Sequence, residues 1–552
     1  MSLRNRQVLS RLVLPVILSS LAVLAGCGSS GTSATPPPSG SFSNSNLSGT
    51  YVFSVTGDDQ NGSPFAMVGA FTANGSGGNG TGGITGGTID INDAGFSGLT
   101  PVVAPISNAA ISSSSSYTVG VDGRGKATLD TSTPFGTITL DFVLTSSEHG
   151  LVTEFDENGS GSGTLDLQAS GLTQSSLAGS YALSFTGIDL GGSGSFATVG
   201  GFTLDQNGGI STGLEDFNDD GFIPYPNQSL AGEVILGPSS TPSTHLITQS
   251  FSLTYDVYAI DATHLKFIEM DTLPILSGDA FSQPSAAISG TMAYTLSGLI
   301  QGNPAAAGGF IVTDGAGNIT NSSTEDVNEA GTIGSSLPFT ATYSSAGTGR
   351  FTLNNFSGFV GVGGGGSYAA YPSSGGLLLL EIDGSGLMTG AAYPLTSSPP
   401  PAFSSPQGYG LNLTGINLGA GVEVDDIAEF STASAGTFTG ILDENYAPGG
   451  GPLGNLALTS GTFGAIDSTG RYGISADAGS GNNTTLNGGF ALTFYSVDGT
   501  TFPFVESDPG QVAAGIIVLQ NPTESAAAAS KPHNMFIPRP LARPKAAKQK
   551  KK

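Results

Sequence analysis

The chain of 552 residues has one cysteine, Cys27, and no tryptophan. A single thiol excludes intramolecular disulfides, C-x-x-C redox chemistry and any cysteine-rich zinc site. Missing tryptophan removes the broadest aromatic face on which sugars are usually stacked. Positive charge is scarce between the amino-terminal segment and Lys531. Only Arg124, Lys126, Lys266, Arg350 and Arg471 occur there, against all 42 acids, for a formal charge of −37. Such a body repels phosphate backbones, so nucleic acid is excluded as its partner. A helical apolar period is also missing, as is any apolar run long enough to cross a bilayer stably.

Glycine is abundant, at 85 residues, while 38% of the chain is hydrophobic. That is too apolar for a polar linker and too glycine-rich for helices. It fits short strands joined by tight turns.

Arg4, Arg6 and Arg11 precede an apolar run from Leu12 to Val23, and then come Leu24-Ala25-Gly26-Cys27. The basic start, short apolar stretch and small-residue site form a secretory signal peptide. Because the site abuts a cysteine, the segment resembles the lipobox of bacterial lipoproteins. The resemblance implies cleavage after residue 26 and acylation of Cys27, with palmitate among the acyl chains and the membrane as partner. Gly28, which is not aspartate, implies the outer membrane.

The body repeats itself. Gly49-Thr-Tyr-Val-Phe-Ser-Val-Thr-Gly57 returns at Gly179, Gly290 and Gln407, after 130, 111 and 117 residues. Each opening alternates: Tyr51, Phe53 and Val55 share one face, and Val52, Ser54 and Thr56 the other. The predicted fold class is all-β. It comprises four tandem antiparallel meanders of about eight strands, closed as up-and-down barrels, with a two-sheet sandwich as the alternative. In the first unit the expected strands are 50–57, 64–73, 82–91, 115–121, 126–131, 136–146, 150–156 and 161–168. The units resemble tandem β-repeats of bacterial surface lipoproteins.

The expected organisation is a signal peptide at 1–26, a lipidated flexible tether at 27–46, and units at 47–170, 177–285, 288–396 and 406–522. A disordered basic tail follows at 523–552. Short junctions between the first three units predict a rod. Ser397 to Pro406, with three consecutive prolines, predicts a separating linker before the fourth.

Three motifs recur within the units. The first is acidic: Asp90-Ile-Asn92-Asp93, Asp216-Phe-Asn218-Asp219, Asp326-Val-Asn328-Glu329 and a looser Asp443-Glu-Asn445. Oxygen ligands at alternate positions before a glycine suit a weak Ca²⁺ site, but the bidentate glutamate of an EF-hand is missing. The competing reading is turn chemistry, with Asp and Asn bonding nearby amides. The second motif is a glycine followed by a base, read as Gly125-Lys126, Gly349-Arg350 and Gly470-Arg471, with His245 in the second unit. The third is Glu-x-Asp: Glu154/Asp156, Glu269/Asp271, Glu381/Asp383 and Glu506/Asp508. Two carboxylates on one strand face suit glycosidase chemistry. Fourfold repetition favours a charge cluster that fixes strand register beside the recurring base.

Gly209-Ile-Ser-Thr-Gly213 matches the hydrolase elbow only in letters, because a strand follows it instead of a helix. Gly75-Ser-Gly-Gly-Asn-Gly80 likewise lacks the helix of a dinucleotide loop. His149, His245, His264 and His533 have no metal-ligand spacing. The tail from Lys531 carries eight bases and no acid. It could contact an anionic envelope polymer or serve as a solubilising end.

Three functional classes remain. A non-enzymatic structural, adhesion or binding array predicts solid unit interiors. A carrier of small apolar ligands predicts cavities, and an extracytoplasmic hydrolase predicts one divergent unit with a polar cleft. No catalytic residue and no cofactor is assigned.

Overall fold

Glycine-punctuated alternation builds strands throughout the computed structural model. The structure describes residues 42–523 except 79, 94–104, 189–193, 220–223, 237–242, 249–251, 272–273, 286–287, 348, 357–364, 435 and 479–489. Cys27, the signal segment and the tail from Lys531 lie outside the described residues.

The first unit comprises β1 (Ser48–Asp59), β2 (Pro64–Asn74), β3 (Gly82–Asp93), β4 (Ile106–Ile111), β5 (Ser116–Val119), β6 (Arg124–Asp130), β7 (Thr137–Leu144), β8 (His149–Phe155) and β9 (Gly159–Leu167). Both β4 and β5 pair with β3, so they are two pieces of one broken strand. Pairing of β1 with both β2 and β9 completes eight antiparallel positions. Residues 106–111 were not expected as a strand, since Ile-Ser-Asn-Ala-Ala-Ile carries no clean alternation.

Closed eight-stranded barrels follow, from Gly179–Ile188 to Ile275–Ser282, from Thr291–Ile300 to Gly386–Pro394, and from Gln407–Asn417 to Gln511–Leu519. Full closure leaves no open sheet edge.

Inward-facing side chains fill each barrel. Tyr51, Phe53 and Val55 enter the first core, as their alternation requires. The residue run before each first strand plugs one end: Phe42 and Leu47, Leu177, Ile288, and Phe403. Phe403 stacks on Phe502 with centroids 3.9 Å apart and rings 7° from parallel. The proline-rich segment before the fourth barrel is therefore a packed plug, not a spacer. An aromatic ring among its prolines gains more from burial than the segment gains from extension.

Close packing explains one recurrent glycine. A Cβ at Gly57, Gly187 or Gly298 would lie 1.7, 1.8 or 1.9 Å from a carbonyl oxygen of the last strand. The first and last strands can close the barrel only where no side chain intervenes.

The barrels form a ring, not a rod. Val52, Ala66 and Val68 of barrel 1 pack on Tyr258, Ile260, Ile268 and Ile275 of barrel 2. Ala182, Ala197 and Val199 of barrel 2 pack on Ala369, Tyr371, Leu378 and Leu380 of barrel 3. Phe310 of barrel 3 meets Tyr495 of barrel 4, and Ile427 of barrel 4 joins Val143 and Leu151 of barrel 1 in the same cluster. The first two strands of each barrel thus meet the sixth to eighth of the next. A heterologous interface of this kind gives a closed ring when its rotation closes, here after four units.

Candidate functional site

The acidic motif lies on the third strand of each barrel, at the contact with the next. Asp and Asn, two residues apart, face outward, and the residue between them faces the barrel core. Ile91, Phe217 and Val327 are core residues in this position.

Each Asp first organises its own barrel. Its Oδ1 accepts the backbone N–H of Asn108, Asn227, Ser336 or Asn455 on the following strand. These four residues have left-handed φ values of 53°, 65°, 50° and 59°. The register shifts there, beside Asp90, Asp216, Asp326 and Asp443. The motif therefore pins a β-bulge on the neighbouring strand from within a strand of its own, rather than holding a local turn.

The same carboxylate then reaches the next barrel. Asp216 receives Arg350 Nε at 2.7 Å and Nη2 at 2.6 Å, together with the Tyr371 hydroxyl at 2.6 Å. Asp326 receives Arg471 Nε at 2.8 Å and Nη2 at 2.6 Å, with the Tyr495 hydroxyl at 2.9 Å. Asp443 meets Arg124 Nη1 of barrel 1 at 3.1 Å. Asp90 has the Tyr258 hydroxyl at 2.5 Å. Burial pushes the Asp90 carboxyl up to about 7, although the Tyr258 and Asn108 hydrogen bonds oppose the rise. In Arg350 burial is outweighed by Asp216, so the guanidinium is held more firmly protonated than usual.

The Asn grips a turn. Asn328 Nδ2 donates to the carbonyls of Glu506, Asp508 and Gln511 at 3.2, 3.0 and 2.7 Å. Asn445 does the same to Glu154, Asp156 and Gly159 of barrel 1 at 2.9, 3.3 and 2.7 Å. Asn218 reaches Glu381 and Gly386, and Asn92 reaches Glu269 and Asp271. The acidic motif of one barrel thus fits the Glu-x-Asp turn of the next, in the order 1 to 2, 2 to 3, 3 to 4 and 4 to 1.

Asp93, Asp219 and Glu329 share the inward parity of the core residue, at the mouths of their own barrels. The motif's acids are consequently split between two faces. Among the described residues no group of three or more His, Cys, Asp or Glu is placed to hold a metal ion.

In the first three units Glu-x-Asp fixes register through its Asp, and in the fourth through Glu506, which accepts the Ala491 amide. Asp156 accepts the amides of Thr139 and Asn158, and Asp271 accepts that of Thr254. The recurring base does not join this cluster but crosses to the neighbouring barrel's acidic motif. In the first unit that base is Arg124, after Gly123, at the start of β6. Lys126 instead pairs with Asp141 of its own barrel at 3.3 Å. Two Gly-base pairs stand in tandem there, and the equivalent of Arg350 and Arg471 is Arg124, not Lys126. The side chain of His245 lies outside what is described.

A second inter-barrel network gave no signal in the sequence. Lys266 of barrel 2 stands 3.1 Å from Asp279 and 3.3 Å from Asp166 of barrel 1. Burial would lower the pKa of Lys266, but Asp279 and Asp166 outweigh it and raise it. His149 and His264 each lie 2.7 Å from one of these acids. Lone histidines and a lone lysine in separate repeats carry no spacing to read.

No family model matches the chain, and no curated protein matches it. Solved structures of transferrin binding protein B are similar over much of their length. A mutant from Haemophilus parasuis Hp5 is 8% identical with a TM-score of 0.19, over 70% of this chain and 86% of that one. The isotype 1 protein of serogroup B Neisseria meningitidis is 11% identical with a TM-score of 0.18, over 67% and 84%. At these scores the superposition is too poor to carry a functional argument, and the chain's architecture rests on its own barrels.

Proposed function

We propose that the chain is a non-enzymatic envelope scaffold, a preassembled ring of four barrels held to the outer membrane by lipid on Cys27. The observation that carries this reading is the cyclic latch. The repeated acidic motif, the repeated base and the repeated Glu-x-Asp turn all serve barrel-to-barrel contact. The barrel interiors, meanwhile, are filled by side chains such as the aromatic cluster around Phe403. Filled barrels favour a rigid display platform over a carrier of apolar ligands. Loops at the barrel rims are then the surfaces available to a partner, and the basic tail from Lys531 supplies contact with an anionic envelope polymer.

Two measurements test this. Wild-type protein should fractionate with outer membranes and carry lipid mass on its amino-terminal peptide, whereas Cys27→Ser should do neither. Two or more acyl chains are needed for stable anchoring. Titration with a fluorescent fatty acid should show no saturable binding. Saturation at one ligand per barrel would establish the carrier reading instead.

A further inference from the structure

Barrel 4 departs from its three siblings at one end of its interior. Register places Asp426 where barrels 1 to 3 have Met67, Thr198 and Ala307. Glu444 stands where they have Ile91, Phe217 and Val327. Glu506, which every barrel matches with a glutamate, completes the group. Asp426 and Glu444 are direct cross-strand partners. Gln511, on the inward parity of Ala513, stands at the same end.

These groups are sealed from water. Asp426, Glu444 and Glu506 are 2%, 0% and 1% exposed. Asp426 Oδ1, Glu506 Oε2 and Gln511 Nε2 have no hydrogen-bond partner. The main charges acting on Asp426 are Glu444 and Asp425, and those acting on Glu506 are Asp508 and Asp426, all of them acids. The base that barrel 1 brings, Arg124, meets Asp443 on the outer face, and barrel 3 brings the neutral Asn328 amide. Asp426 and Glu506, buried with acids as their leading charged neighbours, are held in their neutral form.

The acid cluster also lies directly behind both contacts of barrel 4. Glu444 sits between Asp443 and Asn445, which hold barrel 1. Asp426 adjoins Asp425, whose oxygens accept Ser160 and Ser162 of barrel 1 at 2.7 and 2.8 Å. Glu506 and Gln511 themselves carry two of the carbonyls gripped by Asn328 of barrel 3.

We propose that barrel 4 is a proton-dependent clamp: the ring is closed while Asp426 and Glu506 carry protons beside Glu444, and their ionisation loosens barrel 4 from both neighbours. Water must reach the cluster to solvate the new charges. The strands that part to admit it are those that carry Asn445 and the Glu506–Gln511 turn.

The test is hydrogen exchange of the full-length protein at pH 6 and pH 8, read in peptides spanning 437–447 and 501–519 and corrected for the intrinsic rate. Each proton released on opening raises the opening constant by about tenfold per pH unit, so a rise of at least about tenfold is expected between the two. The triple variant Asp426→Asn, Glu444→Gln, Glu506→Gln should abolish that rise. Asp426→Met with Glu444→Ile, which copies barrel 1, should shrink it. An equal opening constant at both pH values in the wild type would overturn the proposal, as would a wild-type rise in either variant.

Discussion

Replacing Asp216 by alanine should cost more than almost any other single change at the barrel contacts. Asp216 is wholly buried, and Arg350 is 5% exposed. The variant leaves that guanidinium inside the 2-to-3 interface without a counter-ion, a loss of about 3–5 kcal/mol for a buried pair broken on one side. The Tyr371 hydroxyl and the Asn227 amide lose their acceptor as well, each worth about 1–3 kcal/mol when left unsatisfied. Asp443→Ala should cost much less, about 1–2 kcal/mol, because Arg124 keeps Asp122 at 3.1 Å and is 18% exposed at its side chain. Calorimetry of the full-length protein provides the assay, with a double-mutant cycle through Arg350→Met. Asp216→Ala should lower the first unfolding transition sharply, and Asp216→Ala with Arg350→Met should recover part of the loss. An Asp216→Ala protein as stable as wild type would refute the reasoning. So would a double variant no better than the single one.

Burial raises the Glu215 carboxyl to about 7, so its contribution is complete below the unfolded value near 4.5 and is lost as pH climbs through 7. Glu215→Gln should therefore stabilise the protein by about 3 kcal/mol at pH 8 and hardly at all at pH 4, as read from melting at the two values. Gly187→Ala puts a methyl group 1.8 Å from the Ile275 carbonyl oxygen. It should destabilise barrel 2 by at least about 1–3 kcal/mol in thermal melts, and a neutral result would remove the close-approach argument. Melting curves in chelator and in millimolar calcium should superimpose, because the outward Asp carboxylates already hold amides and the neighbour's Arg or Tyr. A calcium-induced rise that disappears in Asp216→Ala with Asn218→Ala would establish the metal reading.

The strand plan was legible because strand periodicity is local. Tyr51, Phe53 and Val55 announce an inward face, and the recurrence of that pattern counts the units. The acidic motif was visible as a motif, but not the bulge that it pins, because the amide that Asp90 holds lies 18 residues away on the next strand. Its reach into the next barrel was not visible, because Asn445 and the Glu154 carbonyl are 291 residues apart and nothing local couples them. Ring closure is invisible for the same reason: it depends on the angle between successive barrels, which no single repeat encodes. Arg124 and Lys126 are indistinguishable in sequence because only the position of the hairpin turn, Gly120 to Arg124, separates the two. The acid cluster of barrel 4 was signalled by the looser fourth motif, whose middle residue is Glu444 where the others are apolar. That departure was legible in letters but acquired meaning only once the residue was seen to face inward.

Closure of the ring through barrels 4 and 1 is most directly tested by cross-linking their touching loops. Gly62 of barrel 1 lies against Pro448 of barrel 4, where a Cβ would stand 3.1 Å from the proline ring. The Gln60 side chain accepts the Gly449 amide at 3.1 Å. Cysteines introduced as Asn61→Cys and Gly451→Cys, in a Cys27→Ser background, place one thiol on each loop. A short bismaleimide should join them within one chain at every protein dilution and yield a monomer containing a single 61–451 cross-linked peptide. Absence of that peptide, or its appearance only between chains, would contradict the ring.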